Sequence, residues 1–448
     1  MHPSKPQTLT LASVAGLLAA VTALTGFVTA PAWAAELSPV EQRIVAAVKG
    51  RSPAALQFLE RTVNVNSGTM NFAGVRETGR LFGAQLSELG FTTRWAEMPP
   101  AMQRAGHLVA TRGSADKAQG KRLLLIGHLD TVFEADSPVQ MWNQKGDRVR
   151  GQGVSDMKGG NVIVLEALRA LQQVGALDGT RIAVVFSGDE ERVGEPIATA
   201  RAEMIELARQ SDVALAFEGA VTDNGSATAT VGRRASGGWR LQVTGKQGHS
   251  AGIFSAAAGY GAIYETARIL NAFREQLIEP DLTFNVGLLV GGTETTTDEL
   301  LSKGTAFGKG NVIANTATAK GDLRYLTTEQ RDRVHARMRA VVAASLPGTS
   351  AKISFSESYP PMSPTAGNLA VLQQYSQASV DAGLGPVLAL APGQRGAGDV
   401  QFVAPYVDSL DGLGASGRGA HSPDEDLELA SIERGAIRAA LLIYRLTR

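Results

Sequence analysis

The chain has 448 residues, 43 basic and 43 acidic, with six histidines, 50 glycines, no cysteine and 44% hydrophobic residues. The lack of cysteine excludes disulfide frameworks, thiolate-held zinc, iron–sulfur clusters and cysteine nucleophiles, so any metal site must rest on His, Asp and Glu. The balanced charge argues against dependence on nucleic-acid phosphates, and the length suggests two or three domains' worth of chain with ample apolar residues for a core.

Lys5 is the only charged residue before Glu36. The apolar stretch between them is densest from Leu11 to Val28 and ends in Ala32-Trp33-Ala34. Such a small-x-small ending predicts a secretory signal peptide over residues 1–34, cut after Ala34 or Ala35, and an exported protein, periplasmic or secreted. An uncleaved membrane anchor is the other reading its length allows. No other stretch is long and apolar enough to span a bilayer.

From about Pro39 to Leu89, apolar residues recur at helical spacing, and Ser52-Pro53 reads as a helix start. Strands are predicted at Phe91–Trp95, His107–Thr111 and Arg122–Ile126, the last a continuous apolar run as in a strand buried on both faces. A helix follows over Gly160–Val174, stopped by Gly175, then a strand at Arg181–Phe186, a helix at Ile197–Gln210 and a strand at Val213–Phe217. This alternation implies an α/β sheet with helices on both faces.

The texture changes near Gly232. Strands are predicted at Trp239–Thr244, Thr283–Val290 and Thr316–Tyr325, and helices at Ala256–Glu275 and Thr328–Leu346, a self-contained β-α-β-β-α-β-like unit. After Tyr359-Pro360-Pro361 the α/β pattern resumes, with a helix at Leu369–Ala382, a strand at Val387–Leu390 and a last helix at Ser431–Leu446. The boundaries expected are therefore 1–34 for the signal peptide, 35–231 and 359–448 for one domain built from two segments, and 232–358 for an inserted domain.

The chemistry-bearing residues fall where buried strands stop. Gly127-His128-Leu129-Asp130, Gly188-Asp189-Glu190-Glu191 and Glu218 each follow an apolar run, and Asp156 lies in Gly151–Gly160, which leads into a helix. A late loop, Gly417–Glu425, carries His421. In open α/β sheets the site lies outside the carboxyl ends of the strands, so these loops can converge. His128 could bind a metal while Asp130, two residues on and facing the same way, accepts from its other ring nitrogen. Taken singly, each has a plain reading: a surface pair for His128 and Asp130, a solvated loop for Glu190-Glu191, a helix cap for Asp156, a strand-end carboxylate for Glu218 and a structured loop for His421. Their joint occurrence, in this order, favours a metal site.

In this order the motifs resemble the di-zinc exopeptidases and deacylases, among them glutamate carboxypeptidase, aminoacylase, acetylornithine deacetylase and succinyl-diaminopimelate desuccinylase. The resemblance runs from about Pro39 to the C-terminus. It is strongest to the glutamate carboxypeptidase branch, through Gly127–Val132, Gly232-Arg233-Arg234-Ala235-Ser236-Gly237 and Gly419-Ala420-His421-Ser422. It implies a catalytic domain with a mixed, mostly parallel sheet between helices, and an inserted ferredoxin-like α+β lid that also dimerises. It implies two Zn²⁺ per chain, with His128 and Glu218 on one, His421 and Glu191 on the other, and Asp156 bridging both. Glu190 takes the place of the general base and Asp130 that of the partner of His128.

His249, in Gly245–Gly252, resembles a lid histidine that reaches the active site of the partner subunit in a homodimer. Asn311 and Arg324 resemble groups that hold the substrate's free carboxylate, a task that suits the planar fork of arginine; a strand-surface ion pair is the plain reading of Arg324. Gly396-Ala397-Gly398-Asp399 matches a glycine-rich loop at the site, with Asp399 in a supporting position. The expected substrate is a peptide or N-acyl amino acid with a free carboxylate. Independently of resemblance, two divalent ions about 3.5–4 Å apart lower the pKa of a water towards neutrality, and a carboxylate not used as a ligand can take its proton. A deacylase or dipeptidase shares this machinery. A metal-binding module without catalysis is the alternative of another class, against which the intact Glu190 argues. His107 at a strand start and His335 in a charged, exposed helix carry no expected role. No phosphate-binding loop, nucleophile elbow or dinucleotide fingerprint is present.

Overall fold

A computed structural model describes residues 35–113, 119–138, 141–298 and 303–448. Residues 1–34, expected to be a signal peptide, lie outside the described residues. Among the described residues no helix is long and apolar enough to cross a membrane.

The central sheet has six strands, in the order Thr92–Ala96, His107–Arg112, Ile182–Ser187, Leu123–His128, Val213–Ala216 and Asp408–Leu410. The first two pairings are antiparallel and the remaining three parallel. Side chains alternate across a strand, and the sequence exploits this. Leu123, Leu125, Val184, Phe186, Val213 and Leu215 enter one core, with the helices Pro39–Val63, Gly159–Gln173 and Ala430–Leu446. Leu124, Ile126, Val185, Ala214 and Ala216 face the opposite way, with Ala202–Arg209 and Val400–Val403. Both faces are thus covered, which is why the runs read as continuously apolar.

Ser52-Pro53 does not start a helix. Pro39–Val63 is one helix containing Pro53, and its cap is Ser38, which accepts from the Glu41 amide while the Glu41 carboxylate accepts from Ser38 in return. Proline costs a helix one hydrogen bond. Here the buried stripe Ile44, Ala47, Val48, Ala55 and Leu59 continues across it, so packing carries the helix through. The predicted helix at 197–210 is two, Ile197–Ala200 and Ala202–Arg209, separated at Arg201.

Residues 236–359 build a second, antiparallel sheet with its own core. Ser236–Gly245 lies between Thr316–Arg324 and Thr349–Tyr359. Trp239, Leu241 and Val243 face the helices Gly261–Gln276 and Thr328–Ala343, where Phe273 meets Trp239 edge-on with centroids 5.9 Å apart. The predicted strand 283–290 divides into Thr283–Phe284 and Leu288–Gly292. A hairpin of Glu294–Asp298 and Lys303–Phe307, absent from the sequence expectations, follows it. His335 is buried rather than exposed: its ring stacks on Phe355 at 3.7 Å, because the helix turns that position towards the sheet. The predicted strand at Val387–Leu390 is Val387–Ala389 and pairs with Ser226–Ala229, outside the central sheet.

Candidate metal centre

Parallel register brings the site together. His128 is paired with Ser187, and Ile126 with Ala216, so two residues beyond Ala216 Glu218 comes level with His128. Glu190 and Glu191 follow Ser187 within one short loop. Asp156 comes from the segment before the Gly159–Gln173 helix, pressed close to the strand ends: a Cβ on Gly160 would sit 2.0 Å from the Phe217 carbonyl oxygen. Asn161, in the first turn of that helix, donates to the His128 carbonyl at 2.6 Å. His421 sits in a loop anchored by pairing of Gly417–Arg418 with Asp426–Glu428, and takes φ of +64°, unusual for a residue other than glycine.

These elements place two triads around one shared carboxylate. His128 Nε2 lies 3.2 Å from Asp156 Oδ1 and 3.5 Å from Glu218 Oε1. His421 Nε2 lies 3.2 Å from Asp156 Oδ2 and 3.1 Å from Glu191 Oε2. All five residues read as ligands are therefore assembled. His128 Nδ1 lies 3.0 Å from the main-chain oxygen of Asp130 and 3.6 Å from its carboxylate. The ring is thus oriented by the Asp130 carbonyl rather than, as expected, by its side chain. That side chain instead accepts from the amides of Glu190 and Glu191 and from the Thr69 hydroxyl.

The donor set fits a pair of divalent cations. Asp156, Glu191 and Glu218 have histidine as their only ion-pair partner among the described residues, Glu190 has none, and Glu191 Oε1 is buried with no hydrogen-bond partner. Burial pushes Glu218 up to about 7, with His128 opposing the shift and Asp156 adding to it. Burial likewise raises Glu190, helped by Glu218, Asp399 and Glu191 against His128. Hydrogen bonds to Asp156 and Glu191 push His421 up to about 11. Such crowding of carboxylates around two imidazoles is what a cation would relieve, and oxygen–nitrogen ligation suits zinc. Five residues for two ions leave room for water or substrate.

Supporting groups were less visible in sequence. Glu425, buried, accepts from the amides of Ser155 and Asp156 at 2.8 and 3.1 Å and so fixes the bridging position. Asp399 accepts from Ser187 at 2.5 Å and from Arg201 at 2.7 Å, and Arg201 also donates to Asp189 at 2.5 Å. The Tyr359 hydroxyl donates to the Glu190 carbonyl at 3.2 Å. Glu425 and Asp399 lie in motifs read from the sequence; Thr69, Arg201 and Tyr359 carry no local signal.

The inserted segment contributes differently. Asn311 accepts through its main-chain oxygen from the Ser250 amide at 3.0 Å, which sets it beside His249. The His249 ring is exposed and accepts from the Ala251 amide at 3.1 Å. Arg324 pairs with Asp322 of its own strand at 3.4 Å. Among the described residues, no hydrogen bond or ion pair links these three side chains to the metal-binding cluster.

Residues 124–445 match Peptidase family M20/M25/M40. The chain is 27% identical to carboxypeptidase G2 of Pseudomonas sp. (strain RS-16), over 89% of this chain and 91% of that protein. It is 25% identical to succinyl-diaminopimelate desuccinylase of Variovorax paradoxus (strain S110), over 84% and 94%. Its fold resembles that of aminopeptidase PepT from Bacillus cereus ATCC 10987, with a TM-score of 0.69 at 17% identity, over 89% of this chain and 99% of that one. The chain belongs to Peptidase family M20/M25/M40, whose members are hydrolases of amide bonds that depend on two zinc ions.

Proposed function

We propose that the protein is an exported exopeptidase of the glutamate carboxypeptidase type, which releases a C-terminal amino acid from peptides or from N-acyl or folate-type conjugates. The observation that carries this reading is Glu190: its carboxylate feels His128 and Glu218 of one triad and Glu191 of the other, belongs to neither, and has no ion-pair partner among the described residues. The likeness to carboxypeptidase G2 supports a bond next to a free carboxylate.

In this reading Glu190 takes a proton from the attacking water and passes it to the leaving amine. Bound zinc ions would polarise the scissile carbonyl and acidify a water near neutral pH. Asp130 holds the Glu190–Glu191 loop in register with His128. His249 of the partner subunit stabilises the developing oxyanion, and Asn311 and Arg324 hold the free carboxylate. Residues 232–358 serve as lid and dimerisation domain, 35–231 and 359–448 as catalytic domain, and 1–34 as the export signal.

Zinc-loaded mature protein assayed on paired substrates tests this. Peptides and N-acyl amino acids with a free C-terminal carboxylate should be hydrolysed, and their C-terminal amides should not. Equal turnover of the amides would overturn the reading. A requirement for a free amino terminus would make the protein a dipeptidase, and a preference set by the acyl group alone a deacylase.

A further inference from the structure

The Glu190 side chain is aimed by its backbone. Among the described residues neither a hydrogen bond nor an ion pair holds its carboxylate, yet a general base needs a fixed line to the proton it takes. Both peptide groups that flank its Cα are held instead. The Glu190 amide donates to Asp130 Oδ1 at 3.0 Å, and the Glu190 carbonyl accepts from the Tyr359 hydroxyl at 3.2 Å.

The group that closes this clamp comes from the other sheet. Tyr359 is the last residue of the strand Thr349–Tyr359, whereas Glu190 follows a strand of the central sheet. Its approach is fixed by packing. The Tyr359 ring meets Phe402 with centroids 4.9 Å apart, and Phe402 in turn lies 5.6 Å from the Arg201 guanidinium. Gln401, fully buried, donates to the Pro360 carbonyl at 2.6 Å and to that of Arg234 at 3.1 Å, while accepting from the Gly398 amide at 2.8 Å. Arg233 and Met362 exchange main-chain hydrogen bonds at 3.0 Å. Both chain segments that link the two sheets are thus pinned, so the hydroxyl has little freedom to swing away. Burial, with the Glu190 and Asp399 carboxylates nearby, holds the phenol well above its usual pKa, which keeps it a donor.

We propose that Tyr359 is a positioning residue for the general base: its hydroxyl holds the Glu190 carbonyl and, with Asp130 on the amide, fixes the direction of the Glu190 side chain. The second sheet then serves the site of its own chain, separately from the histidine offered to a partner. The proposal rests on the reading of Glu190 as the base.

Tyr359→Phe removes the hydroxyl and keeps the ring on Phe402. Zinc-loaded variant and wild type are compared on a peptide or N-acyl amino acid with a free carboxylate. Turnover, kcat, should fall about 3–10-fold with KM unchanged, as expected for one hydrogen bond felt in the transition state. p-Aminophenylalanine at position 359, which puts an N–H donor where the hydroxyl stood, should recover most of that loss. Zinc affinity, from chelator competition, should not move, because Asp130 still holds the Glu191 amide. The deciding readout is a double-mutant cycle. In a Glu190→Gln background, where no base is left to aim, Tyr359→Phe should change the residual kcat by less than about twofold. A loss there as large as in wild type, or a fall in zinc affinity to match that in kcat, marks a tyrosine that only supports the fold and overturns the proposal. So does an unchanged kcat in Tyr359→Phe. Should the phenylalanine variant not fold, p-amino- and p-methylphenylalanine at position 359 are compared: the amino form should be about 3–10-fold faster, and equal kcat overturns the proposal. A Glu190→Gln chain as active as wild type fails the base reading itself, and the proposal with it. Loss of turnover in Glu190→Gln beside an unaffected Tyr359→Phe fails the proposal alone.

Discussion

Asp130 and Glu190 are joined through the main chain: the Glu190 amide donates to Asp130 Oδ1 at 3.0 Å, and the next amide, that of Glu191, donates to Oδ2 at 3.1 Å. Thr69 adds a third donor at 2.7 Å. One fully buried carboxylate thus ties the strand end that carries His128 to the loop that carries both glutamates. Asp130→Ala leaves two loop amides without an acceptor and lets the His128 strand end shift. Zinc affinity should fall about 10–100-fold, as for other groups that orient metal ligands, and kcat should fall with it. Asp130→Asn, which keeps one acceptor oxygen, should be intermediate. Chelator competition measures this; unchanged affinity in the alanine variant would show that the loop holds itself.

His107 supports the same loop from the other side. Its Nδ1 accepts from the Gly188 amide at 3.1 Å and its Nε2 faces the Ala200 carbonyl at 2.9 Å. A neutral ring protonated on Nε2 satisfies both; a charged ring loses the first. Burial lowers its pKa below the usual 6.5, with Asp189 opposing. The unfolded chain therefore binds the proton more readily, so the contribution of His107 is present above pH 6.5 and lost as the pH falls below it. The melting temperature should drop between about pH 7 and about pH 5, and less steeply in His107→Gln. Ring nitrogen NMR should find the Nε2–H tautomer at about pH 6; a charged ring there refutes the assignment.

The convergence of these side chains was legible because parallel pairing carries sequence position directly into space. His128, Ser187 and Glu218 end neighbouring strands at one level, so apolar runs followed by His or Glu already mark the site. Helices on both faces were legible for the same reason, from runs such as Leu123–Ile126 that leave no polar face. What escaped depends on distant contacts. Pro53 reads locally as a helix start, and only the apolar stripe on both sides of it shows otherwise. His335 reads as exposed among charged neighbours until the Phe355 strand is laid against it. Arg201 interrupts a helical pattern because its side chain is drawn in to Asp189 and Asp399, and Thr69 reaches Asp130 across 61 residues. Nothing local announces such pairings.

The Arg201 cluster yields a stability prediction. Its guanidinium is fully buried between Asp189 and Asp399, which hold its pKa above the usual range against the opposing effect of burial. Arg201→Ala would leave two buried carboxylates without their cation. Removing one member of such a cluster costs about 3–5 kcal/mol, a large share of the roughly 5–15 kcal/mol that stabilises a typical protein. Chemical denaturation should show a midpoint shift of that order. Asp399 accepts from Ser187, three residues before Glu190, so kcat should also fall while the protein is still folded. A loss below about 1 kcal/mol would mean that water replaces the arginine at this site.

His249 and Glu190 make the partner-subunit reading testable without a structure of the assembly. Glu190→Gln should keep zinc and lose about 10²–10⁴-fold in kcat, the usual worth of a general base. His249→Ala should also lose turnover while its own Glu190 stays intact. If the histidine acts within its own chain, mixing the two inactive variants restores nothing. If it acts across a two-fold dimer, a mixed dimer has one complete site: Glu190 of the His249→Ala chain with the histidine of the other. Random exchange makes half of the dimers mixed, each with one of its two sites working, so activity should return to about a quarter of wild type. It should appear only after subunit exchange, at a rate set by dimer dissociation. No recovery from zinc-loaded, fully exchanged variants, or an active species that sediments as a monomer, would rule out action across the dimer.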